Sequence, residues 1–106
     1  MSDAAVQMEL LRSREQSLAS RFDEFHAENP HVYIRLRALS YVLRRRGVAR
    51  IGIDVIFGRL RWEAALRTDG DPFKLNNSYR AFYARLLMEE PGLERLFETR
   101  VQHSGG

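Results

Sequence analysis

Between residues 31 and 67 the chain carries nine arginines, two acids (Asp54 and Glu63) and no lysine. A guanidinium is a planar fork of donors that grips phosphate and base edges in pairs and stacks on aromatic rings. The chemistry such a run suits is anion recognition, nucleic acid above all. The rest of the chain differs: residues 1–30 carry a net −3, 31–67 carry +7, 68–88 carry +1 and 89–106 carry −2. A global charge of +3 thus conceals a basic middle between acidic ends, an asymmetry that points to an anionic partner. The preference for arginine over lysine has little weight, because a GC-rich genome produces it through codon usage. The clustering is the evidence. Basic runs are also often simply solvated, so an acidic protein stands beside nucleic acid as a candidate partner.

Within the run, Arg44, Arg45, Arg46 and Arg50 are the expected phosphate contacts. Cations in the last turn of a helix are favoured by its dipole, which accounts for the triplet without any ligand. Yet three consecutive arginines point in different directions, and Arg50 follows closely. A second group, Asn77, Arg80 and Arg85, is expected on one outward helix face with Ala81, Ala84 and Met88. Asn and Arg suit adenine and guanine edges, and small alanines let a helix approach another surface. An ordinary solvated face has the same composition.

Nothing comparable supports catalysis. The chain has no cysteine, which excludes disulfides, thiolate metal sites and a thiol nucleophile. His26, Glu28 and His31 flank one helix boundary, and His103 lies far away near the C-terminus. A metal site needs three or four convergent ligands, so neither metal nor cofactor is expected. Asp69 and Asp71 flank Gly70 without the twelve-residue calcium-loop pattern. With no nucleophile–base pair and no glycine-rich phosphate loop, the chain is not read as an enzyme; a metal-dependent nuclease working through acids alone is the weakest of three readings.

The elements that must position these residues follow from apolar spacing. One hundred and six residues suffice for one domain with a single core. In a helix over 4–27, Leu11, Leu18, Phe22 and Phe25 share a face. Asn29-Pro30 restarts the chain as N-cap and first helical residue. A second helix over 30–46 buries Val32, Leu36, Leu39 and Leu43 and stops at Gly47. A third, over 51–66, has two apolar stripes: Ile53, Ile56, Phe57, Leu60 and Ala64 on one side, and Ile51, Val55, Gly58, Trp62 and Leu66 nearly opposite. A helix apolar on two faces is buried on both, as the central helix of the domain or as half of a homodimer interface. Gly58 costs about 1 kcal/mol against Ala in a helix interior, which favours a close approach on the second face. Trp62 is read as a core anchor rather than a base-stacking platform.

Residues 67–76 break the pattern: Asp69-Gly70 signals a turn and Pro72 excludes a central strand. This predicts an irregular hairpin- or wing-like loop with Phe73 and Leu75 tucked inward. A fourth helix starts at Asn76 or Asn77 and ends before Pro91, burying Tyr79, Phe82, Tyr83, Leu86 and Leu87. A short last helix over 93–99 closes the fold with Leu96 and Phe97, and residues 101–106 form a disordered tail. The expected class is all-α: a compact bundle of four main helices plus a short C-terminal one, with residues 1–21 as a helical extension and 22–100 as the domain. Helices three and four could form an atypical helix-turn-helix, since about ten residues replace the usual tight turn. No uninterrupted apolar run approaches the ~20 residues of a membrane span. No basic stretch leads into an apolar core at the N-terminus, so no export signal or membrane partner is expected.

Three segments together, FHAENPHVY at 25–33, IGIDVIFGRLRW at 51–62 and DPFKLNNSYRAFYARLL at 71–87, resemble a family of small phage and prophage proteins without an assigned activity. The resemblance covers about residues 22–100, and KLNN-x-Y-x-x-x-YAR is its most specific part. It implies a phage or phage-derived origin and action in the bacterial cytoplasm, in DNA transactions or against a host protein. It transfers no catalytic residue. The expected function is nucleic-acid binding, duplex DNA first, through Arg44, Arg45, Arg46, Arg50, Asn77, Arg80 and Arg85. Docking onto an acidic partner protein is the alternative.

Overall fold

The computed structural model describes residues 3–67 and 75–98. The chain divides into two compact units, Met1–Pro30 and His31–Gly106. The described residues are helical in the main: α1 is Asp3–Glu28, α2 Pro30–Arg45, α3 Ile53–Arg67 and α4 Arg80–Met88, the last preceded by a 3-10 turn at Asn77–Tyr79. The class is therefore all-α. The loop expected at 67–76 falls mostly, and the tail at 101–106 entirely, outside the described residues.

In the first unit α1 runs unbroken past residue 21, where the sequence had suggested a border between extension and domain. Phe22 is buried and its ring stacks on His26 at 5.7 Å. Val6, Met8, Leu10 and Leu11 are exposed. Asn29 ends the helix: its backbone amide and its side-chain amide both donate to the Phe25 carbonyl, at 2.8 and 3.0 Å. Pro30 then opens α2, where a missing amide hydrogen leaves no gap.

In the second unit α2 buries Val32, Leu36 and Ser40, whose hydroxyl donates back to the Leu36 carbonyl at 2.7 Å. Gly47, at φ 89°, lets the Gly47 amide reach the Arg44 carbonyl and the Val48 amide reach Leu43. These paired bonds of a left-handed helix stop satisfy carbonyls that the helix itself leaves open. α3 buries Ile53, Ile56, Phe57, Leu60 and Ala64 as the spacing predicts. From α4 come Tyr83 and Leu87. Tyr83 meets Phe57 edge-on at 6.0 Å and stacks with Tyr33 at 6.4 Å, and burial pushes its hydroxyl up to about 12. Tyr33 donates to Glu90 Oε1 at 2.7 Å; burial first, then this bond, holds its proton far above the usual phenol range.

Leu39, Leu43, Phe82 and Leu86, expected to be buried, are only half-buried, and three further expectations fail. The helix over 93–99 is absent from its described part. Leu93, Leu96 and Phe97 are buried, but from successive turns, because Gly92 and Arg95 take positive φ, 87° and 62°. The backbone then bonds across to the α2–α3 link: Ile51 donates to the Leu96 carbonyl at 2.8 Å, and Glu98 donates to the Ile51 carbonyl at 3.3 Å, a single parallel bridge. Spacings of three and four mimic a helix face here without a helix. Trp62 is no core anchor; it is 54% exposed, with Val55 at 54% and Leu66 at 64%. The second stripe of α3 therefore lies open. Ala84, expected outward, is buried, which narrows the outward face of α4.

Candidate functional site

Arg37 and Arg67 of the basic middle are exposed, and its other seven arginines divide according to what each guanidinium already holds. Arg35 grips Glu63 with two bonds, Nε to Oε1 at 2.8 Å and Nη2 to Oε2 at 2.6 Å, and Arg59 adds a third at 3.2 Å. Hydrogen bonding from Arg35, helped by both positive charges, holds the Glu63 carboxyl at about 2, well below its ordinary value. Arg59 also lies 4.6 Å over the Trp62 ring.

Arg44 is engaged differently. Its Nε donates to the Gly92 carbonyl at 2.7 Å, Nη1 to Val48 and Ala49 at 3.1 Å each, and Nη2 to Glu94 at 2.6 Å. A guanidinium has five N–H donors, so this one is largely committed to the main chain. One turn earlier, the Tyr41 hydroxyl donates to the Pro91 carbonyl at 2.6 Å. The last two turns of α2 thus clamp the α2–α3 link and the turns after α4 to one another. Arg44 is a brace and no free phosphate contact: its position in the sequence equals that of Arg45 and Arg46, but its reach brings it to four carbonyls.

What the brace gathers is a set of other arginines. Arg45 ends α2 and Arg46 starts the turn after it, Arg50 precedes the bridging Ile51, and Arg95 follows the Glu94 carbonyl that Arg44 holds. All four are exposed. Arg45 makes only a long bond, 3.4 Å, to the Tyr41 carbonyl, and among the described residues none of the four is ion-paired. Glu94 and Glu98 neighbour Arg95 along the chain, and Glu89 and Glu90 directly precede the Pro91 and Gly92 carbonyls that Tyr41 and Arg44 hold. Arg95 had no signal in the sequence, because its membership depends on a turn that the periodicity concealed.

The second predicted group sits elsewhere. Asn76 caps the 3-10 turn by accepting from the Ser78 amide at 2.9 Å. Arg61 donates to the Leu75 carbonyl at 2.8 Å and to Asn77 Oδ1, and lies over Phe57 at 5.9 Å. Arg80 Nε donates to the Asn77 carbonyl at 3.1 Å. Arg85, farther along α4, packs its guanidinium 5.1 Å from the Phe82 ring. Asn77 and Arg80 stand at the start of α4, whereas the braced end follows its finish, about 13 Å along a nine-residue helix. The seven expected residues therefore fall into two groups, with Arg44 internal to one and the Asn77 acceptor already engaged in the other.

Among the described residues no cluster of three or more His, Asp or Glu is placed to hold a metal, and no helix is long and apolar enough to cross a membrane. No protein-family profile, curated protein or solved structure matches this chain.

Proposed function

We propose that the protein binds nucleic acid, duplex DNA first, through its braced arginine end. The observation that carries this is the exposure, without ion pairs among the described residues, of Arg45, Arg46, Arg50 and Arg95 on two segments that Arg44 ties together. Cations held on a rigid backbone lose less freedom when an anion arrives than cations on a floppy tail, and phosphate contacts supply most of the affinity of such proteins. Arg80 and Arg85 extend the surface along α4. In this reading α3 and α4 work as an atypical helix-turn-helix with a short second helix, and Asn77 positions Arg61 and Arg80 before it reads any base. The resemblance to small phage and prophage proteins supports a regulatory or accessory role in DNA transactions in a bacterial cytoplasm.

Four phosphate contacts set a slope of about −4 for log affinity against log salt. A labelled duplex titrated at several salt concentrations measures it. No binding at the lowest salt removes the proposal and leaves an acidic protein as the ligand of the same arginines.

A further inference from the structure

Val55, Trp62 and Leu66 line one side of α3 over about 16 Å, and all three are more than half exposed. Gly58 lies on the same side, one turn before Trp62. A Cβ built on Gly58 would meet no atom within 4 Å, so nothing inside the fold requires glycine there. Glycine is nonetheless disfavoured in a helix interior. What it leaves is a shallow seat in an apolar face, beside the chain's one tryptophan.

We propose that this face joins two copies of the chain as an antiparallel α3 pair, with Trp62 of each seated over Gly58 of the other. Such a contact is self-complementary, as a two-fold interface must be, since each ring finds the glycine that the other copy lacks a side chain to fill. Charge selects the same arrangement. Arg59 and Glu63 share one flank of the stripe, while Gly58, Ala65 and, one turn before Gly58, Asp54 form the other. Antiparallel packing about a two-fold brings like flanks together, so each Arg59 meets the Glu63 carboxylate of the other copy. Parallel packing would set each Arg59 and Glu63 against the flank of Gly58 and Ala65 and would bring no Arg59 to the Glu63 of the other copy. Arg59 is suited to be shared, because Arg35 already anchors Glu63 with two bonds. The pairing needs no nucleic acid and stands apart from the reading of the arginine end.

One helix pair buries less than the ~800 Å² per partner of a standard interface, so the dimer should dissociate on dilution. Sedimentation equilibrium of the full chain between about 1 and 100 µM, a span suited to modest interfaces, should show the mass doubling. Trp62 emission should shift to the blue over the same range. Gly58→Leu adds a side chain that the monomer accommodates in open space, yet it fills the seat; association should fall at least tenfold with the helical spectrum retained. Arg59→Glu should weaken it as well. Because the chain has no cysteine, a mixture of Val55→Cys and Leu66→Cys proteins should cross-link under oxidation, whereas Val55→Cys alone should not. A monomer at the highest concentration with unchanging emission would overturn the proposal, as would wild-type association of Gly58→Leu or cross-linking of Val55→Cys to itself.

Discussion

Arg44 is committed to four main-chain carbonyls and Arg61 to one carbonyl and one side-chain amide oxygen, and the two ends they hold also differ in what is left over. Arg44 binds Gly92, Val48, Ala49 and Glu94, and in doing so leaves Arg45, Arg46, Arg50 and Arg95 exposed. Arg61 binds Leu75 and Asn77, and thereby engages the residue best suited there to read a base edge. Bracing creates a surface at one end and consumes one at the other. The Glu63 node makes a third case, in which two arginines share one carboxylate that offsets one of their two charges. Charge counted along a chain is thus an upper limit on the charge available to a ligand.

The sharpest way to break this comparison is to reverse the exposed pair. Arg45→Glu with Arg46→Glu should lower duplex affinity by about 100-fold at low salt and reduce the salt slope by about 2. A gel-shift series checks this, and unchanged circular dichroism shows that the fold survives. If Arg61→Ala lowers affinity as much, the two ends are not distinct.

Removing the brace should act on stability first. Arg44→Ala leaves four carbonyls without their donor and should cost about 2 kcal/mol, discounted for their partial exposure. Arg61→Ala, losing two bonds of which one is exposed, should cost about 1 kcal/mol. Urea unfolding of both variants tests the order, and Arg44→Lys should recover little, since an ammonium cannot span four separated acceptors. Equal costs for the two alanine variants would mean that the brace is no stronger than the second tie.

The smallest effect concerns Glu63. Its folded carboxyl titrates at about 2, below the ordinary glutamate range that applies once the chain unfolds. Its contribution is therefore complete above the unfolded value and is lost as pH falls towards 2. Arg35 is 44% exposed, so screening limits the pair to about 1 kcal/mol or less. Glu63→Gln should reduce stability by that amount at pH 7 and approach the wild type as acid removes the charge. Thermal melts at pH 7, 4 and 2.5 would show the gap closing; a gap constant with pH would mean that the ion pair contributes nothing.

Much of the helical framework was legible beforehand because it rests on near neighbours in sequence. Pro30 opening α2, Gly47 stopping it, and Ile53, Ile56, Phe57, Leu60 and Ala64 facing inward all follow from geometry within a few turns. The buried side of the 3-10 turn and α4 was legible for Tyr79, Tyr83 and Leu87 but not for Ala84, whose small size fits either a core or a surface. Leu93, Leu96 and Phe97 were correctly apolar and inward, yet wrongly helical: spacing reports which residues must be buried and says less about the backbone that buries them. Trp62 failed for a related reason, since an apolar stripe registers a need for cover without saying whether the same chain supplies it.

Composition and periodicity alone determined that this is an all-α protein with a basic middle, no cysteine chemistry and an α3 helix apolar on two sides. Only the tertiary structure decided which guanidiniums remain for a partner. Arg44, Arg45 and Arg46 are indistinguishable in the chain, and what separates them is a set of carbonyls that includes Gly92 and Glu94, about fifty residues away. A hydrogen bond is decided by distance and direction in space, and neither is written in the identity of the donor.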